Sequence, residues 1–174
     1  MMSEVGERER ITQNRVVKLF EHGLGYTYLG DWQRRAGNSN IEDDLLRAYL
    51  RRRGYGPDLI ARVLFQLHRA ADNQSQSLYD VNKAVYRLLR YGVQVKADVG
   101  EQTQTVHLID WAHPQANDFA IAEEVTVVGN VARGAHTKRP DIVLYVNGIA
   151  LGVLELKRSI VSISEGIRQN LDNQ

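Results

Sequence analysis

Apolar residues recur at helical spacing through the first half of the chain and alternate with polar ones through much of the second. Over 7–22, Ile11, Val16, Leu19 and Phe20 fall roughly on one stripe, which predicts a helix. Gly23, Gly25 and Gly30 then break the pattern into a loop carrying Tyr26, Tyr28 and Trp32. Asn40 is placed to cap a second helix, with the acids Glu42, Asp43 and Asp44 in its favourable first turn. Its apolar face reads as Ile41, Leu45, Ala48 and Tyr49, and Gly54 ends it. Pro57 opens a third helix, with Leu59, Ile60, Val63, Leu64 and Leu67 facing inward. A fourth, 78–89, repeats the period through Val81, Val85, Leu88 and Leu89.

After Gly92 the period becomes two. Val93, Val95, Ala97 and Val99 alternate with polar residues, and 105–111 and 119–128 are two further strand candidates. The clearest local signal is 141–157. Asn147-Gly148 separates two apolar, β-rich runs, and both residues tolerate the positive φ of a tight hairpin turn. The run 149–156 is almost continuously apolar, which predicts a central strand covered on both faces. Ser164 opens a final helix, with Ile167 and Leu171 on one face. Helices, then strands, then a helix predict an α/β fold: a mixed central β-sheet flanked by helices.

Composition narrows the chemistry. At 174 residues and 43% hydrophobic, the chain has enough apolar surface for one real core. It has no cysteine, which excludes a disulfide scaffold, a thiol nucleophile and a cysteine zinc site. The first ten residues are polar and charged, and no apolar run approaches a membrane span, so a cytoplasmic protein with no membrane partner is expected. The net charge of +1 hides a segregation. Arginines outnumber lysines 17 to 5 and crowd into 34–90. No Lys or Arg occurs over 97–130, where Asp98, Glu101, Asp110, Asp118, Glu123 and Glu124 fall. The basic stretch is either a solvated surface or a face for phosphates.

Three charged residues interrupt the apolar hairpin. Glu155 and Lys157, two apart at the end of its second strand, point to the same side. An unpaired charge buried there would cost several kcal/mol, so either an ion pair or a functional site is needed. Asp141 sits at the far end of the first strand, after Pro140. An ideal two-residue turn pairs Asp141 with Leu154 and leaves Glu155 on the opposite face. The two carboxylates converge only if the register shifts by one, and Gly152 is a plausible bulge site. Converging carboxylates favour a hard divalent cation such as Mg²⁺, with the Leu156 backbone carbonyl as a third oxygen ligand. Lys157 beside it would stabilise a phosphate or orient water.

Arg139-Pro140-Asp141 followed by Glu155-Leu156-Lys157 resembles the PD-(D/E)xK nuclease motif. The longer run RPDIVLYVNGIALGVLELK, 139–157, resembles the nuclease motif of the restriction (motor) subunit of type I restriction–modification enzymes. The segments at 41–55, 78–93 and 117–129 are similar to the N-terminal domain of the same subunit. The resemblance implies a PD-(D/E)xK core with an extra N-terminal helical region, 1–40 as helix and loop extension and 41–174 as nuclease domain. It implies an Mg²⁺-dependent endonuclease cutting unmethylated double-stranded DNA, with metal at Asp141 and Glu155 and a catalytic Lys157. Glu42 matches a supporting glutamate on an early helix, or is simply a first-turn dipole partner. Gln169 matches a supporting glutamine, whereas Asn173 stands where the family carries tyrosine. The implied partners are the methyltransferase and specificity subunits. ATP would act only through a translocase region that this chain lacks, since no glycine-rich loop ending in Gly-Lys-Ser or Gly-Lys-Thr occurs. The expectation is a piece of a longer subunit. The competing reading is a non-catalytic nucleic-acid-binding or assembly module that retains the fold.

Other groups have two readings each. His107 and His113 flank Asp110 without a standard metal spacing. Of Glu123 and Glu124, one would point toward the site and the other to solvent. Arg51, Arg52 and Arg53 are helix-end cations or phosphate contacts. Tyr26, Tyr28 and Trp32 are packing residues or a base-stacking surface.

Overall fold

The computed structural model describes residues 4–96, 98, 100, 102–128 and 137–156. They form an α/β fold with four α-helices and a mixed four-stranded sheet. The chain divides into two compact units. A sheet unit contains 1–40, 119–146 and 150–174; a helical unit contains 41–118 and 147–149.

The sheet unit begins with α1 (Glu4–Lys18), whose end widens into a π turn in which the Leu24 N–H bonds the Leu19 carbonyl at 3.0 Å. Its buried stripe is Gln13, Val17 and the half-buried Val16 and Phe20, while Ile11 and Leu19 are exposed. The segment read as a loop is a strand, β1 (Thr27–Asp31). It pairs in parallel with β4 (Phe119–Glu123), which pairs antiparallel with β7 (Ile142–Val146). β8 (Ile149–Leu154) completes the order β1-β4-β7-β8. It is therefore an edge strand among the described residues, not a central one, and Leu151 and Val153 are 46% and 43% exposed. Two further strands, β5 (Val127–Val128) and β6 (Thr137–Lys138), pair by themselves. One face of the sheet packs Ile121 and Ile142 with Val17 of α1, and the other packs Ala120, Ala122, Val143 and Tyr145 with Trp32.

The helical unit holds α2 (Asp43–Arg52), α3 (Pro57–Ala71), α4 (Leu78–Tyr91) and a two-stranded ribbon, β2 (Val93–Val95) with β3 (Gln104–Val106). α3 buries all five residues expected to face inward, and Pro57 opens it. Ser77 caps α4, accepting the Asp80 N–H at 3.1 Å. The cap of α2 is Glu42, not Asn40, and its buried face is Leu46, Tyr49 and Leu50; Ala48 is exposed. Residues 41–42 are held extended by the Ile41–Ile149 bridge and by the Glu42 N–H on the Gly148 carbonyl at 2.7 Å, which delays the helix start.

The expected hairpin turn is present, with Asn147 at φ 53° and Gly148 at φ 84°. Asn147 is fully buried and does more than turn the chain. Its amide donates to the Leu108 carbonyl and the Asn117 side chain, each at 2.8 Å, and its Oδ1 accepts the Asp118 N–H at 2.7 Å. Gly148 admits no side chain, because a Cβ there would stand 2.7 Å from the Glu42 carbonyl oxygen.

Candidate active site

The carboxylates singled out at the hairpin ends lie in the sheet unit, and the strands that carry them change phase on the way. Ala150 packs in the cluster of Trp32 and Tyr145, whereas Leu154 and Leu156 pack with Val17, Ile121 and Ile142. Even-numbered residues of a regular strand share one face, so β8 switches faces between Ala150 and Leu154. Gly152 marks the switch. A Cβ built on it would stand 3.8 Å from the Leu144 Cβ, although a strict two-residue turn sets Gly152 opposite Val143. One extra residue in β8 accounts for both observations. Continued at that register, Leu154 falls opposite Ile142 and Glu155 opposite Asp141.

Asp141 is held from several sides. Its Oδ2 accepts the Leu156 N–H at 2.6 Å, and its backbone carbonyl accepts the Glu124 N–H at 3.0 Å. The Gln13 amide donates to that carbonyl at 3.3 Å and to Glu124 Oε1 at 3.3 Å. Among the described residues, Asp141 Oδ1 accepts no hydrogen bond. Glu155 is half-buried.

Gln13 is the residue that reasoning from the sequence missed. It is 5% exposed on α1 and links the helix to both Glu124 and Asp141. The signal was available: Gln13 occupies the slot before Val16, Val17 and Phe20 on the buried stripe, where an apolar residue belongs.

Neither glutamate at the end of β4 points to solvent. Glu124 adopts φ 50° and pairs with Arg139 at 3.1 Å. Glu123 is 3% exposed and accepts the Tyr28 hydroxyl at 2.5 Å. Arg10 stands 3.7 Å from its Oε1, which has no hydrogen-bond partner among the described residues. Burial, helped by the hydrogen bond to Glu123, pushes the Tyr28 hydroxyl pKa up to about 12. Tyr26 and Trp32 are packing residues, whereas Tyr28 is partly exposed and held through its hydroxyl. Tyr26 lies edge-on to Phe20, and Trp32 lies 5.6 Å from Tyr145.

Glu42 belongs to the helical unit, where it caps α2. Lys157, Gln169 and Asn173, and the final helix expected from Ser164, lie outside the described residues. Also in the helical unit, two of the three consecutive arginines are occupied by acids: Arg52 meets Asp118 at 2.7 Å and Arg53 meets Asp110 at 3.1 Å. The His113 N–H closes a turn on Asp110 at 2.9 Å. That hydrogen bond, with the Arg53 charge, holds the Asp110 carboxyl below the usual range. The Asp110–His113 pair is thus a structural turn rather than a metal site.

Among the described residues, no three His, Cys, Asp or Glu side chains form a ready cation cage. The donor set at Asp141 nonetheless fits a hard cation that keeps most of its waters. Among the described residues, Oδ1 accepts no hydrogen bond and Oδ2 is oriented by the Leu156 amide.

Comparison with known proteins decides the family. Residues 6–174 match the family model described as Type I restriction enzyme R protein N terminus. The chain belongs to this family. A protein of Haemophilus influenzae, named the type I restriction enzyme HindI endonuclease subunit, is 36% identical over 81 residues, covering 45% of this chain and 7% of that protein. A Methanocaldococcus jannaschii protein, provisionally named the type I restriction enzyme MjaIXP endonuclease subunit, is 27% identical over 104 residues, covering 58% of this chain and 10% of that one. The R-protein N-terminal chain thus spans a tenth or less of the curated relatives it matches.

Proposed function

We propose that this R-protein N terminus is an Mg²⁺-dependent DNA endonuclease domain that hydrolyses phosphodiester bonds of unmethylated double-stranded DNA. The observation that supports the reading is the switch of faces along β8, which, continued past Leu154, would bring Glu155 opposite an Asp141 already oriented by the Leu156 amide. A PD-(D/E)xK core needs that convergence, and a flat hairpin would deny it. In this reading Asp141, Glu155 and the Leu156 carbonyl hold the cation. When bound, Mg²⁺ supplies charge neutralisation at a phosphate oxygen and an acidified water. Lys157 stabilises charge beside the phosphate, and Gln169 and Glu42 support the site. Residues 1–40 are an N-terminal extension, α1 and β1 with their connections, of a nuclease domain over 41–174. The whole is one region of a longer cytoplasmic subunit that works with methyltransferase and specificity subunits and draws on ATP through a separate translocase region.

The test uses the full subunit assembled with its partners, ATP and Mg²⁺ on unmethylated plasmid DNA. Asp141→Ala, Glu155→Ala and Lys157→Ala should each cut at least about 100-fold more slowly, the few kcal/mol expected of a lost charge-stabilising group. Cleavage at the parent rate in all three variants would sink the assigned site. Loss of cleavage with intact assembly distinguishes it from a purely structural module.

A further inference from the structure

The helical unit holds a cleft of about 820 Å³ whose wall carries Arg62 and Arg69 of α3, Arg87 of α4 and Lys96 just after β2. Among the described residues, no carboxylate lines it. This is not a consequence of the unit's composition. Over 41–118 and 147–149 its Lys and Arg number ten and its Asp and Glu also ten. Acids elsewhere in the unit are already engaged with Arg47, Arg52 and Arg53. The four cleft cations are exposed, as Arg52 and Arg53 are, but none stands within 4 Å of a carboxylate among the described residues.

Their spacing is regular. Arg62 and Arg69 are seven residues apart on one helix face, about 10 Å along its axis. Phe65 lies between them, 67% exposed and also in the lining. Gln66 and Gln94 also line it, the Gln66 amide donating to the Gln94 carbonyl at 3.2 Å. Like charges so placed repel one another, and an apolar ring among them gains nothing from water. A polyanion with apolar faces between its charges relieves both.

The geometry points to a second DNA contact: this cleft grips the sugar–phosphate backbone of duplex DNA, with the cations on phosphates and Phe65 against sugar. The contact deepens the DNA reading given above and rests on it for the identity of the polyanion. It requires neither Asp141 nor a metal, and it reads no bases, since arginine and lysine at phosphates fix position and not sequence.

The test is duplex binding by the 174-residue chain, measured by fluorescence anisotropy on a labelled 30-base-pair DNA in EDTA. Working without metal keeps the outcome separate from the cleavage reading. Arg62→Gln, Arg69→Gln, Arg87→Gln and Lys96→Gln are combined. The expected result is at least tenfold weaker binding at 50 mM salt, with the slope of log K against log salt reduced by about 3 to 4, near 0.9 per lost phosphate contact. Because all four side chains are exposed, circular dichroism should be unchanged. The Arg62→Lys, Arg69→Lys, Arg87→Lys variant should bind within about threefold of the parent. Parent-like affinity and slope in the glutamine variant overturn the proposal. So does competition by poly-glutamate as effective as by unlabelled duplex, which would assign the cleft to an acidic protein.

Discussion

The two units handle charge in opposite ways. In the sheet unit, three acids are buried or half-buried and tied to named partners: Glu123 to Tyr28 and Arg10, Glu124 to Gln13 and Arg139, Asp141 to the Leu156 backbone amide. In the helical unit, Arg52 and Arg53 are consumed by Asp118 and Asp110, while Arg62, Arg69, Arg87 and Lys96 are left exposed along one cleft. A near-neutral total is therefore no argument against a polyanionic partner. What matters is whether a cation already has its acid. The same residue type serves folding in one place and is available for ligand in another.

The sharpest way to break this division is at Asn147, which serves structure with no charge at all. Its side chain satisfies the Leu108 carbonyl, the Asn117 oxygen and the Asp118 N–H from a fully buried position. Asn147→Ala strands the Leu108 carbonyl and the Asp118 N–H, each costing about 1–3 kcal/mol, and puts alanine at a positive φ. A loss of about 2–5 kcal/mol in urea unfolding is expected. A loss below about 1 kcal/mol would mean that water replaces the asparagine and that the turn is not what organises residues 108–118.

Where sequence patterns were local they were legible. α3 announces itself through Pro57 and an unbroken apolar period, and the Asn147-Gly148 turn through its dipeptide. The change of phase near Gly152 was reachable too, by asking how Asp141 and Glu155, the charged residues ending an apolar hairpin, could meet. What depended on distant partners was not legible. β1 looked like a glycine-broken loop because its partner, β4, lies some ninety residues away. β8 looked central because composition does not say which edge is left open. Gln13 looked like an ordinary helical polar residue, although its neighbours on the stripe are buried. The cleft draws on Arg62, Arg69, Arg87 and Lys96 from three elements, so the sequence displayed only a broadly basic stretch.

A smaller effect is expected at Tyr28, which tests whether the sheet unit's acids are structurally tied. Its raised pKa means the folded state keeps the hydroxyl proton after the unfolded chain has released it. Stability from this group is therefore complete below about pH 10 and is lost as pH rises toward 12. Tyr28→Phe should cost about 1 kcal/mol near neutrality, a partly exposed hydrogen bond to a charged group. It should also flatten the decline in urea midpoint between pH 10 and 12. An unchanged alkaline profile would show that Glu123 is held by Arg10 alone.

The smallest effect belongs to the engaged arginines, and its sign is opposite in pH. Asp110 has a lowered pKa, from the His113 N–H first and the Arg53 charge with it. The folded state therefore keeps the carboxylate ionised where the unfolded chain is already protonating. Its contribution is present above about pH 4, the usual carboxylate value, and fades as the pH falls further. Asp110→Asn should lower the urea midpoint slightly at pH 7 and less at pH 3, narrowing the gap between them. Arg53→Gln should do the same while leaving duplex DNA affinity within about twofold. Arg62→Gln should do the reverse, weakening DNA binding with an unmoved midpoint, because no carboxylate among the described residues pairs with it. If Arg53→Gln and Arg62→Gln affect stability and DNA binding alike, engagement by an acid does not separate structural from ligand-binding cations in this unit.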